Sequence, residues 1–357
     1  MGKKFRMGII GCGGIANGHI NGINDCPDLE VSALCDTVPG QLKIKADLYG
    51  FTDDMFYADY NDLLDSGKVD AVSICTPNNI HCEIALAAIE RGIPFAVEKP
   101  VGLCEAQVAR VLEAAEKKGV PHMVCFSYRF KSAARYIRAL VQKGELGGIY
   151  HINGEYLQAW GLPDARGGKP TPLAWRFVKD ITGSGALGDL GCHILDLFRF
   201  MLDREFTRVS ADMDTFITER ELIGGGGTGK VDVDDYINIV GQMEGKVAAN
   251  LSITRYAYSR GNYQRVEIYG EKGALRYTLE AEDTLEVNYG NEPMRNARVW
   301  AEIPVPPQYE RSQMQSFADI LNGRGDGLAA NLRDGLNVQR LLDRSVVSAE
   351  KGVRVNL

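Results

Sequence analysis

Residues 5–126 alternate short, almost continuously apolar runs with amphipathic stretches, and this rhythm restricts the architecture more than any other feature of the 357-residue chain. Segments 5–11, 30–36, 69–76, 94–98 and 121–126 read as strands buried on both faces. Between them, 15–24, 39–49, 60–66, 80–91 and 104–118 carry helical spacing. Strands separated by helices at this interval predict a doubly wound α/β domain with a parallel sheet. After Tyr128 the rhythm changes. A helix over 133–143 leads to a strand-like run, 149–160, a Gly/Pro-rich loop, 161–172, and a helix over 186–202. Strand-like runs follow at 207–218, 234–242, 247–256, 264–269, 275–279 and 284–289, and helical periodicity returns over 313–350. Successive strands without helices between them imply an α+β domain with a large open, mostly antiparallel sheet. The expected domains are 1–127 and 128–357, with the C-terminal helix able to pack back on the first. So much sheet exceeds what a few helices can cover, so an apolar face and a symmetric homodimer or homotetramer are expected.

Composition narrows the classes. With 45% apolar and 24% charged residues, the chain has the balance of a soluble globular protein rather than a disordered one. Its apolar runs, such as 71–74, fall far short of the ~20 residues that span a bilayer. The net charge of −7, spread along the chain, argues against a nucleic-acid partner. The opening MGKKFRMGII reads as a first strand rather than a secretory leader, because glycines interrupt its apolar stretch at once. None of the eight cysteines forms a CxxC pair. They are expected to be reduced and structural, in a cytoplasmic protein without a metal.

Gly11-Cys12-Gly13-Gly14-Ile15-Ala16 follows an apolar strand and opens a helix, the context of a GxGxxA dinucleotide fingerprint. Gly11 allows the tight turn, Gly13 lets the backbone approach a pyrophosphate, and Ala16 lets the helix pack on the sheet. Asp36 ends the second strand, where a carboxylate accepts from the adenosine ribose and repels a 2′-phosphate. Thr37 rather than Arg follows it, so NAD is expected over NADP.

Glu98-Lys99-Pro100 lies at the end of a buried strand, where open α/β sheets bind ligands. A lysine there can stabilise a developing alkoxide, although a solvated strand-end lysine is the plainer alternative. In Gly183-Ser-Gly-Ala-Leu-Gly-Asp-Leu-Gly-Cys-His193, Asp189 and His193 are four residues apart and share a helix face. A neutral histidine beside a carboxylate suits a general base; a structural His–Asp bond or half a metal site would look the same. Gly224–Lys230 matches GxxxxGK, but Val231 stands where a phosphate-binding loop needs Ser or Thr, and a strand follows. A flexible loop is expected.

GCGGIA, SICTPNNIH, EKP and GSGALGDLGCHILDL together resemble the Gfo/Idh/MocA oxidoreductases, and VDVDDY, TRYAYSRGN and EIYGEKGAL extend the likeness along the chain. The resemblance implies a Rossmann domain, then an α+β domain whose sheet mediates assembly. It assigns Lys99, Asp189 and His193 to catalysis, with His193 as proton acceptor. It places Thr76, Pro77, Asn78, His81 and Glu98 along the nicotinamide half of the cofactor. Arg129, Trp175 and Arg176 would stand near nicotinamide or substrate, with Tyr128 also on the substrate side. AWRF with GSGALGDLGCH is most similar to members acting on inositols, anhydrosugars or other pyranosides. The expected activity is NAD-dependent oxidation of a secondary alcohol of such a compound. Transient oxidation with retained cofactor, as in a glycosidase, and a non-catalytic sensor are the alternatives.

Overall fold

The computed structural model describes residues 4–162, 171–280 and 283–357. The chain divides into two compact units, 1–126 with 311–337 and 127–310 with 338–357.

The first unit holds six strands, β1 (Phe5–Ile10), β2 (Leu29–Cys35), β3 (Phe56–Tyr57), β4 (Ala71–Ile74), β5 (Phe95–Val97) and β6 (His122–Val124). All pair in parallel, in the order β3-β2-β1-β4-β5-β6. This is a Rossmann sheet, and its order reverses between β1 and β4. Five helices connect the strands: α1 (Ala16–Asn24), α2 (Pro39–Tyr49), α3 (Tyr60–Asp65), α4 (His81–Glu90) and α5 (Glu105–Lys118). Every residue of β4 and β5 is buried, which is why these strands read as unbroken apolar runs. Residues 311–337 close the unit: Val124 donates its N–H to the Ala330 carbonyl, 2.8 Å away.

In the second unit, α6 (Ser132–Gln142) precedes β7 (Ile149–Leu157), and α7 (Lys179–Thr182) precedes α8 (Cys192–Leu202). The strands that follow are β8 (Phe206–Asp214), β9 (Glu219–Glu221), β10 (Thr228–Lys230), β11 (Tyr236–Met243), β12 (Val247–Thr254), β13 (Tyr263–Gly270), β14 (Ala274–Leu279), β15 (Asp283–Asn288) and β16 (Ala301–Glu302). α9 (Glu292–Ala297) follows; α10 (Gln313–Leu321) and the first residues of α11 (Leu332–Lys351) belong to the first unit, and β17 (Val355–Asn356) ends the order. Nine strands form one sheet, β16-β15-β14-β13-β7-β12-β11-β8-β17, antiparallel except for the β7–β12 pair. α6 and α8 pack on one face. Gly154 of β7 lets α8 approach closely, since a Cβ there would stand 2.6 Å from the Phe198 ring.

Two expectations need correction. The other face of the sheet is polar, not apolar. It presents Asn153, Glu155, Asn238, Asn250, Ser252, Arg265 and Glu267 around the exposed Val240. Asn250 Nδ2 donates to Asn153 Oδ1 at 3.0 Å, and Arg265 pairs with Glu267. Strand alternation sends the apolar set under the helices and leaves polar side chains outside. In the second case, 224–230 is not wholly loop. Gly224–Gly227, all at positive φ, turn the chain between β9 and β10, which pair antiparallel. Part of the Gly/Pro-rich segment, 163–170, lies outside the described residues.

Candidate active site

Gly11 closes β1 with φ +91°. A Cβ there would stand 2.7 Å from the Thr76 nitrogen, so the turn presses against the end of β4. Around Gly13 and Gly14 the reverse holds: a Cβ would meet nothing within 4 Å. The backbone is therefore open where α1 begins, Ala16 is buried beneath it, and Ile15 is exposed beside it. Asp36 Oδ2 accepts the Cys12 N–H at 2.7 Å, and Oδ1 accepts that of Val38 at 2.8 Å. Each carboxylate oxygen keeps further acceptor capacity for a ribose hydroxyl. Thr76 Oγ1, past β4, is buried with no hydrogen-bond partner among the described residues. Open glycines, a carboxylate held at the β2 end and an unsatisfied hydroxyl together fit an NAD dinucleotide.

Pro77 and the buried Asn78 follow Thr76. His81 is buried between two backbone carbonyls. Its ring is 1% exposed, with Nδ1 2.9 Å from the Pro100 carbonyl and Nε2 2.8 Å from that of Thr76. It braces two strand-end segments from within, and burial lowers its pKa despite those carbonyls. Glu98 likewise points inward. Its Oε1 lies 2.9 Å from His19 Nε2, and its Oε2 accepts the Lys99 N–H at 3.3 Å. Lys99 itself is half-buried, and its peptide bond to Pro100 is cis.

His19, which the sequence reading did not single out, stands on α1 and also contacts Ser73 Oγ through Nδ1 at 2.6 Å. Burial opposes its charge, but Cys75 and the Glu98 carboxylate outweigh burial and raise its pKa to about 10. Glu98 is desolvated too, yet His19 and Lys99 hold its pKa below the ordinary carboxylate value. Donor atoms of His19, Glu98 and Cys125 lie within 4.8 Å of one another. The imidazole and carboxylate already satisfy each other.

In the second unit, α8 is buried at all eleven positions, so its polar members need partners. Asp196 receives a forked ion pair from Arg129, at 2.7 and 2.6 Å. Arg129, expected near the cofactor, is 5% exposed and ties the 127–130 turn to α8. That tie sets the edge of Tyr128 against His193, with ring centroids 4.7 Å apart at 75°. Tyr128 Oη lies 2.7 Å from Tyr156 Oη, and Asn262 Oδ1 accepts from both. Gln158 joins the cluster by donating to Asn262 Oδ1 at 2.9 Å. Burial, Tyr128 and Asp189 raise the Tyr156 pKa, so its phenol stays neutral. Tyr156, Gln158 and Asn262 were missed because the sheet register alone brings them to Tyr128.

Asp189 lies on a π-helical turn, Leu187–Gly191, where a regular helix was expected. The cause is Asp234, from the VDVDDY run. Its carboxylate accepts the N–H groups of Gly185 at 2.6 Å and Leu187 at 2.7 Å, and its carbonyl accepts that of Ala186 at 2.9 Å. Wide turns of this kind recur at functional sites. Arg176 stacks on Trp175 with 4.3 Å to the ring centroid, and its Nε is 3.9 Å from Asp189 Oδ2. These residues thus collect in two groups, a cofactor group in the first unit and His193 with its neighbours in the second.

A Rossmann sheet with an open glycine turn, continued by a helix-backed antiparallel sheet carrying an Asp–His segment, defines an NAD-dependent oxidoreductase. Residues 5–126 match the model of an oxidoreductase family with an NAD-binding Rossmann fold, and 134–276 match the GFO/IDH/MocA C-terminal domain. The chain belongs to the GFO/IDH/MocA oxidoreductase family. Levoglucosan dehydrogenase of Pseudarthrobacter phenanthrenivorans is 34% identical over 66% of this chain and 62% of its own length, so the match spans less than two thirds of that relative. Inositol 2-dehydrogenase of Rhizobium meliloti is 25% identical over 97% of both chains. A levoglucosan dehydrogenase structure in complex with NADH and L-sorbose superimposes with a TM-score of 0.89 at 29% identity, covering 99% of this chain and 98% of that one. No helix among the described residues is long and apolar enough to cross a membrane.

Proposed function

We propose that this chain oxidises a secondary alcohol of a sugar, anhydrosugar or inositol-type polyol, with NAD⁺ as acceptor. The observation that carries the reading is the setting of His193, held against Tyr128 on a wholly buried helix that opens with the Asp189 turn. A fixed imidazole beside hydroxyl-bearing side chains suits a ligand that presents hydroxyl groups. The names of the levoglucosan and inositol dehydrogenases support the same substrate class.

In this proposal Gly11, Gly13, Gly14, Ala16, Asp36 and Thr76 hold the dinucleotide, which supplies the hydride-accepting nicotinamide when bound. His193 Nε2 takes the proton of the reacting hydroxyl. Lys99 Nζ stabilises the negative charge that grows on that oxygen. Asp189 and Arg176 orient the sugar, with Trp175 as an apolar wall. His81 and Arg129 act as braces rather than as ligand contacts. We further assign the polar sheet face to a homodimer or homotetramer contact.

The test is a screen of levoglucosan, inositols and common aldoses with NAD⁺ and NADP⁺, following absorbance of the reduced cofactor. Turnover with at least one of these compounds and NAD⁺ is expected. Cofactor that co-purifies without net NADH formation would instead indicate retained-cofactor chemistry, and no response in either form would remove the assignment.

A further inference from the structure

Beneath the end of β5 lies a line of buried polar groups that substrate and cofactor binding do not explain. His19 is 3% exposed and Glu98 8%, and Ser73 is fully buried. The line runs from Ser73 Oγ to the two ring nitrogens of His19, then through the Glu98 carboxylate to the Lys99 N–H. Such a buried ion pair is seldom more stabilising than apolar side chains of equal volume, so stability alone does not account for it. The last link ends on the backbone N–H of Lys99.

We propose that His19 is a positioning residue for Lys99: its imidazolium aims the Glu98 carboxylate at the Lys99 amide and cancels the carboxylate's charge beside the Lys99 ammonium. This rests on the reading of Lys99 as the group that meets the substrate. With both nitrogens protonated, Nδ1–H donates to Ser73 and Nε2–H to Glu98, which uses the full donor capacity of the ring. Lys99 then faces a neutral dyad. Without the imidazolium it would face a bare, desolvated carboxylate on the adjacent residue, which would retain its proton more tightly. The other titratable groups around this line are the thiols of Cys75 and Cys125 and the ring of His81. Burial pushes the Cys125 thiol up and the His81 imidazole down. Glu98 is the carboxylate in direct contact with the His19 ring, at 2.9 Å, with the Cys75 thiol as its other neighbour.

The experiment is pH-dependent acetylation of the Lys99 amine in the full-length protein, quantified by mass spectrometry. His19→Gln keeps a donor toward Glu98 and an acceptor toward Ser73 but removes the charge. The labelling midpoint of Lys99 is expected to rise by about 1 pH unit or more, the size of an unbalanced neighbouring charge. The His19→Gln/Glu98→Gln double variant, neutral at both positions, should return it to the wild-type midpoint. In parallel, kcat of His19→Gln should fall about 10–100-fold with KM for NAD⁺ nearly unchanged, as a displaced catalytic group requires. An unmoved midpoint in a folded His19→Gln protein, or a double variant that stays shifted, would overturn the proposal. If His19→Gln does not fold, Ser73→Ala, which weakens the imidazolium from the other side, should give a smaller rise, and no rise counts against it. The midpoint does not depend on turnover. The catalytic reading of Lys99 fails separately, if Lys99→Ala keeps full activity.

Discussion

Gly185 lies directly against Asp234: a Cβ on Gly185 would stand 1.9 Å from the Asp234 carbonyl oxygen, while the Gly185 N–H donates to the Asp234 carboxylate at 2.6 Å. The contact is backbone on one side and fully buried on the other, so neither partner can yield cheaply. Gly185→Ala should therefore move the turn that carries Asp189 and His193. A loss of about 1–3 kcal/mol from overpacking is expected, and kcat should fall at least tenfold even in protein that remains folded. Thermal melting and steady-state kinetics measure the two effects. A variant with wild-type kcat would show that the turn does not depend on this contact.

Asp36 governs cofactor choice in the proposed site. Its oxygens hold the Cys12 and Val38 amides and keep acceptor sites for a ribose diol. Asp36→Ala should weaken NAD⁺ by about tenfold, roughly the 1–2 kcal/mol of lost charge-assisted hydrogen bonds. NADP⁺, relieved of repulsion, should weaken less or tighten. Titration of both cofactors into wild type decides the matter first: equal affinity for NADP⁺ would remove the role of Asp36.

The open face of the nine-stranded sheet makes a separate prediction about assembly. Asn153, Asn250, Ser252 and their ion-paired neighbours form a polar surface that a second copy can meet with hydrogen bonds. Light scattering at micromolar concentration should give a multiple of the 39.2 kDa chain mass. A monomer mass would refute the assignment of this face.

Much of this architecture is legible in the sequence. Strands buried on both faces read as unbroken apolar runs, and 5–11, 30–36 and 94–98 sit within a residue or two of β1, β2 and β5. The two-residue strands β3, β16 and β17 were not legible, because two residues carry no periodicity. Long-range partners defeated the reading of several side chains. Arg129 pairs with Asp196, 67 residues away, a partner that no local pattern reveals. The wide turn at Asp189 depends on an aspartate 49 residues beyond Gly185. His19 could have been noticed, being a polar residue on the face of α1 that packs on the sheet.

Two buried histidines should affect stability with opposite signs. The pKa of His19 is raised to about 10, so its contribution is complete below the unfolded value near ~6.5 and fades as pH rises through 10. His81 is shifted downward by burial. The unfolded chain therefore binds its proton first, and stability drains away as pH falls below ~6.5. Melting temperatures of wild type, His19→Gln and His81→Gln between pH 5 and 10.5 should show both trends. The gap between wild type and His19→Gln should narrow with rising pH, whereas His81→Gln should lose less than wild type on acidification. A gap that widened toward pH 10 would mean that the imidazolium does not stabilise the fold.

Lys99 and His193 are proposed to act in the same chemical step, and their variants should differ in an informative way. Loss of a positioned acid–base group lowers rate by about 10²–10⁴-fold. Because both groups act on charge that develops in the transition state, kcat and kcat/KM should fall together in His193→Ala and in Lys99→Ala. NAD⁺ affinity should be unchanged in His193→Ala, since His193 belongs to the second unit and the glycine turn to the first. With His193 as the base, kcat/KM for oxidation rises with pH through a single ionisation, because only the neutral imidazole accepts a proton. That ionisation should vanish in His193→Ala and persist in Lys99→Ala and Asp189→Asn. His193→Ala with near-wild-type turnover and the same rising limb would place the base elsewhere, and Lys99 would then be the first residue to test in that role.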